Sequence, residues 1–172
     1  DKKAILMAHD FVEPTEMPDD AYPLVLCTVR EVGHYSCRSM TGNCKVLSML
    51  ADEPGYVHIN PADAAARTVK DEDLVWVSSR RGKVITRAKL DERINKGAVY
   101  MTYQWWIGKC NDLTMHVTDP LSGTPEDKYS ACEVHCIDDQ VWAERHMQSL
   151  YSAMKDRLAA EAAPQNVAPA AQ

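Results

Sequence analysis

The chain has 172 residues, of which 45% are apolar, and a formal net charge of −6. That is enough chain for one domain with a real core. The acidic balance argues against nonspecific binding to nucleic acid or an anionic membrane, and no apolar run is long enough to span a bilayer. We expect no nucleic-acid partner and no membrane segment.

The opening "AILMAHDF" reads as a strand with its flanks. The chain begins at Asp1 rather than Met and shows no signal peptide, so a piece of a longer polypeptide is expected. "VEPTEMPDDAYP" is rich in proline and acids, which makes residues 1–22 a connector. "LVLCTV" is a buried strand. "GNCKVLSMLADEPG" looks helical and stops at Pro54-Gly55, and "YVHIN" is a short strand. Asn60 then offers an N-cap, Pro61 suits the first helical position, and Asp63 falls where the helix dipole favours an anion. "LVWVSS" and "VITRAKL" read as strands joined by the "RRGK" turn, whose default reading is a solvated hairpin tip. "NKG" turns the chain into "AVYMTYQWW". Of its adjacent tryptophans, Trp105 and Trp106, one packs inward while the other faces out. Residues 107–128 form a long loop, "YSACEVHCI" closes the strand series, and residues 139–163 are a helix with Met147, Leu150, Tyr151, Met154 and Leu158 on one face. Residues 164–172 read as a disordered tail. Many short strands, sparse helices and long polar loops suggest a β-barrel with helical additions.

The six cysteines show no C-x-x-C pair, so reduced thiols and a cytoplasmic location are expected. His34 and Cys37 could form a nucleophile pair, but no third orienting group is evident. Cys132 and Cys136 share a strand face that His135 does not, which weakens a metal site there. No metal ligands and no catalytic residues are assigned to the chain. There is no G-x-G-x-x-G and no Walker loop.

The stretch "TVREVGHYSCRSMTGNC" is different. A buried strand runs into Arg30, Glu31, His34, Tyr35, Ser36 and Arg38, which bring together cations, an anion, an imidazole, a phenol and a hydroxyl. Arg30 suits bidentate capture of a phosphate, and Glu31 suits the paired N–H edge of a guanine or a pterin. The plainer alternative is a surface Arg30–Glu31 pair without function.

Four segments carry a resemblance: "YPLVLCTVREVGHYSCRSMTGNC", "GYVHINPADAAARTVKDEDLVWVSSRRGKVITRAKL", "NKGAVYMTYQWWIGKCNDLT" and "TPEDKYSACEV". Together they resemble the C-terminal molybdopterin-dinucleotide-binding domain of molybdopterin oxidoreductases, most of all that of formate dehydrogenases of the H type. The resemblance implies a mainly β fold, a six-stranded double-psi β-barrel over residues 23–138, followed by the C-terminal helix. It implies bis(molybdopterin guanine dinucleotide) with Mo or W as cofactor, formate and carbon dioxide as substrates, and a [4Fe-4S] cluster in the remainder of the enzyme. Its partners would be the remaining domains or catalytic chain and an iron–sulfur electron-transfer subunit. Cofactor contacts would come from Thr28, Arg30, Glu31, His34, Tyr35 and Ser36, from Tyr103 and Gln104, from Asn111 and from Lys128. Against the pattern that the resemblance implies, two departures stand out: Asp127 stands where relatives commonly have an aromatic, and Thr68 replaces the glycine that usually ends the short helix. The alternatives are the same domain in a hydrogen-dependent carbon dioxide reductase or another molybdopterin oxidoreductase, or a non-catalytic double-psi barrel that binds partners.

Overall fold

The computed structural model describes residues 3–8, 10–51 and 53–162. Six strands, β1 (Leu24–Val29), β2 (Tyr56–Ile59), β3 (Leu74–Ser79), β4 (Gly82–Leu90), β5 (Ala98–Thr102) and β6 (Tyr129–Cys136), close into a barrel in the order β1-β5-β2-β4-β3-β6. The pairs β1–β5 and β2–β4 are parallel and the other four are antiparallel. Closure leaves no strand with an unpaired edge, which is how an all-β sheet this short avoids aggregation. The double-psi barrel expected from the resemblance is the fold observed.

Strand alternation fills the interior. Leu24 and Leu26 of β1, Val57 and Ile59 of β2, Val75 and Val77 of β3, and Val99 and Met101 of β5 are all at most 2% exposed and belong to one cluster. A second cluster lies outside the barrel wall, where α3 (Gln140–Ala162) packs Ala143 and Met147 on Leu74, Ile85, Ile107 and Ile137. Gln140 fixes the start of that helix: its Oε1 accepts from Leu74 N at 2.8 Å and its Nε2 donates to Leu74 O at 2.8 Å. Arg87 Nη2 reaches Glu144 at 2.8 Å one turn later. Leu150 and Leu158, on the expected apolar face, stay about two-fifths exposed, so the helix docks by its first half.

The two barrel ends differ. At one end α2 (Pro61–Ala65) forms as its cap residues dictate: Asn60 Oδ1 accepts from Ala62 N at 2.9 Å, Asn60 Nδ2 donates to Ile94 O at 2.7 Å, and Asp63 accepts from Gly97 N at 2.7 Å. The strand directions bring the C-terminal ends of β1, β3 and β5 and the N-terminal ends of β2, β4 and β6 to the opposite end. There the polar loop after β1, the turn into β2, the β3–β4 turn and the loop into β6 meet.

Three local readings need correction. Residues 3–8 and 10–12 form no strand; Ile5, Leu6 and Phe11 are exposed, since an apolar run has no ladder without a neighbour to pair with. The helix expected from Gly42 to Glu53 is only α1 (Lys45–Leu50), after a 3₁₀ turn at Thr41–Asn43. The long loop 107–128 contains a 3₁₀ turn at Cys110–Leu113 and a bridge between Thr118 and Pro125. The expected disordered tail lies outside the described residues.

Candidate functional site

The site is built where the parallel strands β1 and β5 end side by side, with Val29 in register with Thr102. Of the residues singled out in the sequence, Thr28, His34 and Gln104 are buried, Glu31, Ser36 and Tyr103 are half-buried, and Arg30, Tyr35, Asn111 and Lys128 are exposed.

Two groups form. In the first, Gln104 lies between the loops: its Oε1 accepts from Glu31 N at 3.0 Å and its Nε2 donates to His34 O at 3.2 Å. Burial pushes the Glu31 carboxyl above its ordinary range, against the pull of the His34 and Arg38 charges. In the second, Thr28 Oγ1 donates to Asp127 O at 2.7 Å and Thr28 N to Lys128 O at 3.2 Å, which fastens the approach to β6 onto the end of β1. Lys128 Nζ then lies 5.4 Å from the Tyr103 ring centre and 3.2 Å from Asp127 Oδ2. The Cys110 thiol contacts Met101 O at 3.9 Å and Asn111 Oδ1 at 3.7 Å, which sets Asn111 beside the end of β5. Among the described residues no ion pair joins Arg30 to Glu31, so the plain surface pair is not what forms.

His34 does not face outward. Its Nδ1 meets Thr41 Oγ1 at 3.0 Å and its Nε2 meets Ala51 O at 2.9 Å, so both ring nitrogens are engaged within the loop. Cys37 is exposed and has no free imidazole beside it, and the nucleophile pair does not assemble. In β6, Cys132 packs in the barrel core while His135 points out to Ser78 Oγ at 3.0 Å, as strand alternation requires.

Residues outside the sequence-based set hold the loop in shape. Trp105 is buried and Trp106 about half exposed, the expected division. The Trp105 indole donates to Thr102 Oγ1 and lies flat against Gly55, where an added Cβ would stand 1.9 Å from its Cδ1. Arg38 stacks over the same ring at 4.4 Å and His34 meets it edge-on at 5.8 Å. Glu53, its side chain 1% exposed, binds Arg38 and two backbone amides after Trp105. The sequence signals for this cluster were the Trp105-Trp106 pair and His34 and Arg38 of the polar stretch; Glu53, an acid ahead of Pro54, looks like any turn residue.

The "RRGK" turn also differs from a solvated tip. Arg81 pairs with Glu16 of the connector, donates to Leu113 O at 2.8 Å and reaches Ser130 Oγ. Glu16 in turn accepts from Ala131 N at 2.7 Å. The Arg81 hydrogen bond holds the Glu16 carboxyl down at about 2.

This arrangement gathers unlike polar groups at one barrel mouth: exposed cations for anionic oxygens, a half-buried carboxyl for N–H donors, and hydroxyl and amide groups between them. Those donor types fit a ligand that combines phosphates, a nucleobase and a pterin. A closed six-stranded barrel carrying such a mouth at the ends of a parallel strand pair is compatible with a dinucleotide-cofactor-binding domain. The chain belongs to the family described as the molydopterin dinucleotide binding domain, which matches residues 24–131. It is 57% identical over 149 residues to formate dehydrogenase H of Escherichia coli, covering 87% of this chain and 21% of that protein. It is 38% identical over 128 residues to the F420-dependent formate dehydrogenase subunit alpha of Methanocaldococcus jannaschii, covering 74% of this chain and 19% of that protein. Among solved structures, acetylene hydratase from Pelobacter acetylenicus shares the fold at a TM-score of 0.63 and 17% identity, covering 74% of this chain and 21% of that one. The chain thus spans about a fifth of the length of the curated relatives it matches.

Proposed function

We propose that this molybdopterin-dinucleotide-binding domain serves a formate dehydrogenase, where it grips bis(molybdopterin guanine dinucleotide) carrying Mo or W. When bound, that group supplies the two-electron exchange that interconverts formate and carbon dioxide. The observation that carries the reading is the set of unlike polar groups at the ends of β1 and β5, in segments shared with formate dehydrogenases.

In this reading Arg30 takes a phosphate through two parallel N–H donors, and Lys128 adds a second cation. Asp127 occupies Lys128 at 3.2 Å, so the Lys128 edge grips less strongly than the Arg30 edge. Glu31 accepts from ring and amino N–H donors. Its raised carboxyl pKa makes that acceptance sensitive to pH: the group loses its charge at a higher pH than an exposed glutamate does. Tyr35, Ser36, Tyr103 and Asn111 supply further hydrogen bonds and apolar cover. Thr28, His34 and Gln104 hold the loop rather than the ligand. The metal ligand, the substrate-positioning groups and the [4Fe-4S] cluster belong to the remaining domains or chain. An iron–sulfur subunit takes the electrons, and the enzyme works in the cytoplasm. Residues 1–22 connect to the preceding domains, and the first half of α3 braces the barrel.

Replacement Arg30→Ala in the whole enzyme tests the reading. Pterin and metal retained through gel filtration should fall about tenfold to a hundredfold, the worth of one charge-assisted bidentate contact, with thermal unfolding of the barrel unchanged. Wild-type content in the variant refutes it.

A further inference from the structure

We propose that Glu53 is a positioning residue that fixes the ligand loop in its binding shape before the ligand arrives. The proposal rests on the reading of the site just given.

The Glu53 side chain is 1% exposed, and its two oxygens accept from donors on two other segments. Oε1 accepts from Arg38 Nη2 at 3.0 Å and from Trp106 N at 2.9 Å; Oε2 accepts from Ile107 N at 3.0 Å. Arg38 ends the segment that leaves β1, Trp106 and Ile107 lie on the segment that leaves β5, and Glu53 itself stands on the turn into β2. One carboxylate therefore ties three segments that no strand ladder joins. Gln104 makes the second tie, at the strand end of the same loop. Between the two ties lies the Trp105 indole, with Arg38 on its face and His34 at its edge.

The loop needs such a hold. Ser36 has φ 48° and Arg38 has φ 63°, both in the left-handed region that residues other than glycine seldom adopt. Such conformations persist where the surroundings over-determine them. The Glu53 pairing fixes Arg38, and the Arg38 stack on Trp105 repeats the constraint. A loop already ordered spares the ligand the entropy of ordering it. Replacing the carboxylate by an amide removes one of the two acceptors. It also sets an NH2 donor against a backbone N–H, so the amide is not a silent swap.

The test uses the whole enzyme with Glu53→Gln and reads hydrogen–deuterium exchange by segment, together with release of oxidised pterin. Amides 34–38 and 105–108 should exchange about tenfold faster or more, while β1 and β5 keep their protection. Pterin release should quicken in step. Unchanged loop exchange overturns the proposal, as does an equal loss of protection in β1 and β5, which would make Glu53 ordinary fold support. If Glu53→Gln does not fold, Arg38→Lys is the second variant. It leaves both backbone bonds of Glu53 in place and should raise exchange at 34–38 alone; no rise there overturns the proposal. A wild-type enzyme without pterin would defeat the proposed function, yet the exchange readout would still judge Glu53.

Discussion

The two ends of the barrel are closed by different means. At the α2 end most ties are short in sequence or made by a residue with a standard local role, with one long-range exception, the ion pair of Arg67 with Glu133, 66 residues apart. Asn60 caps its own helix, Asp63 meets Gly97, and "NKG" turns directly into β5. At the ligand end the ties are long-range carboxylate–arginine clamps. Glu16 and Arg81 are 65 residues apart, and Arg38 and Glu53 bracket α1. Each clamp carboxylate also accepts backbone N–H groups, Ala131 for Glu16 and Trp106 and Ile107 for Glu53. The contrast is one of degree. Local chemistry does most of the closing at the α2 end. Charged clamps hold the loops at the other end, as the ligand site proposed above would need.

The sharpest way to break this contrast is Glu16→Gln. Glu16 and Arg81 have side chains only 12% exposed, and the loss leaves the guanidinium with a weaker partner. A cost of about 2 kcal/mol is expected, below the full value of a buried pair because solvent reaches the clamp's edge. The sign with pH follows from the depressed carboxyl, held at about 2 against an ordinary 4.5. Its contribution is fully present above 4.5 and drains away as pH falls towards 2. Urea unfolding of wild type and variant from pH 7 down to 2 should show curves that converge on acidification. A constant gap across that range would show that the clamp works through packing rather than charge.

At the other end, Asn60→Ala removes the cap on Ala62 N and strands the Ile94 carbonyl. About 1.5 kcal/mol is expected, since a cap is worth about 1 and an orphaned partly buried acceptor adds to it. No pH dependence accompanies it, because no charge is lost. Amide exchange should rise in 60–66 and stay flat in 31–38; a rise in the ligand loop would show that the ends are coupled and the contrast false.

The same contrast explains what could be read from the sequence. The six barrel strands, the Asn60-Pro61 helix start, the inward and outward tryptophans and the C-terminal helix all follow from alternation, caps and periodicity, which act over a few residues. The polar loop stood out by its mixed chemistry, with Arg30, Glu31 and Tyr35 close together, and its part in ligand binding is the proposal made above. The hydrogen bonds inside it were not legible. His34 and Gln104 have the residue types of ligand contacts, and only the fold shows them turned inward on Thr41, Ala51 and the loop backbone. Arg81 and Glu53 were missed for the same reason: a charged residue in a turn looks solvated until the partner 15 or 65 residues away is known.

The smallest effect is the most local. Thr68 follows α2 with φ 56°, in the left-handed region where a β-branched side chain crowds its own backbone. Relatives are expected to carry glycine there, which takes that conformation without strain. Thr68→Gly should relieve about 1 to 2 kcal/mol of strain and forfeit somewhat less than 1 in the entropy of the unfolded chain, along with the Thr68 Oγ1 bond to Arg67 O at 2.7 Å. The net is a gain of about 0.5 kcal/mol, a rise in melting temperature of about 1–2 °C for a domain of this size. Because the gain arises at the locally closed end, pterin retention should not change. A destabilised variant would mean that the threonine hydroxyl, not the backbone, decides how this helix ends.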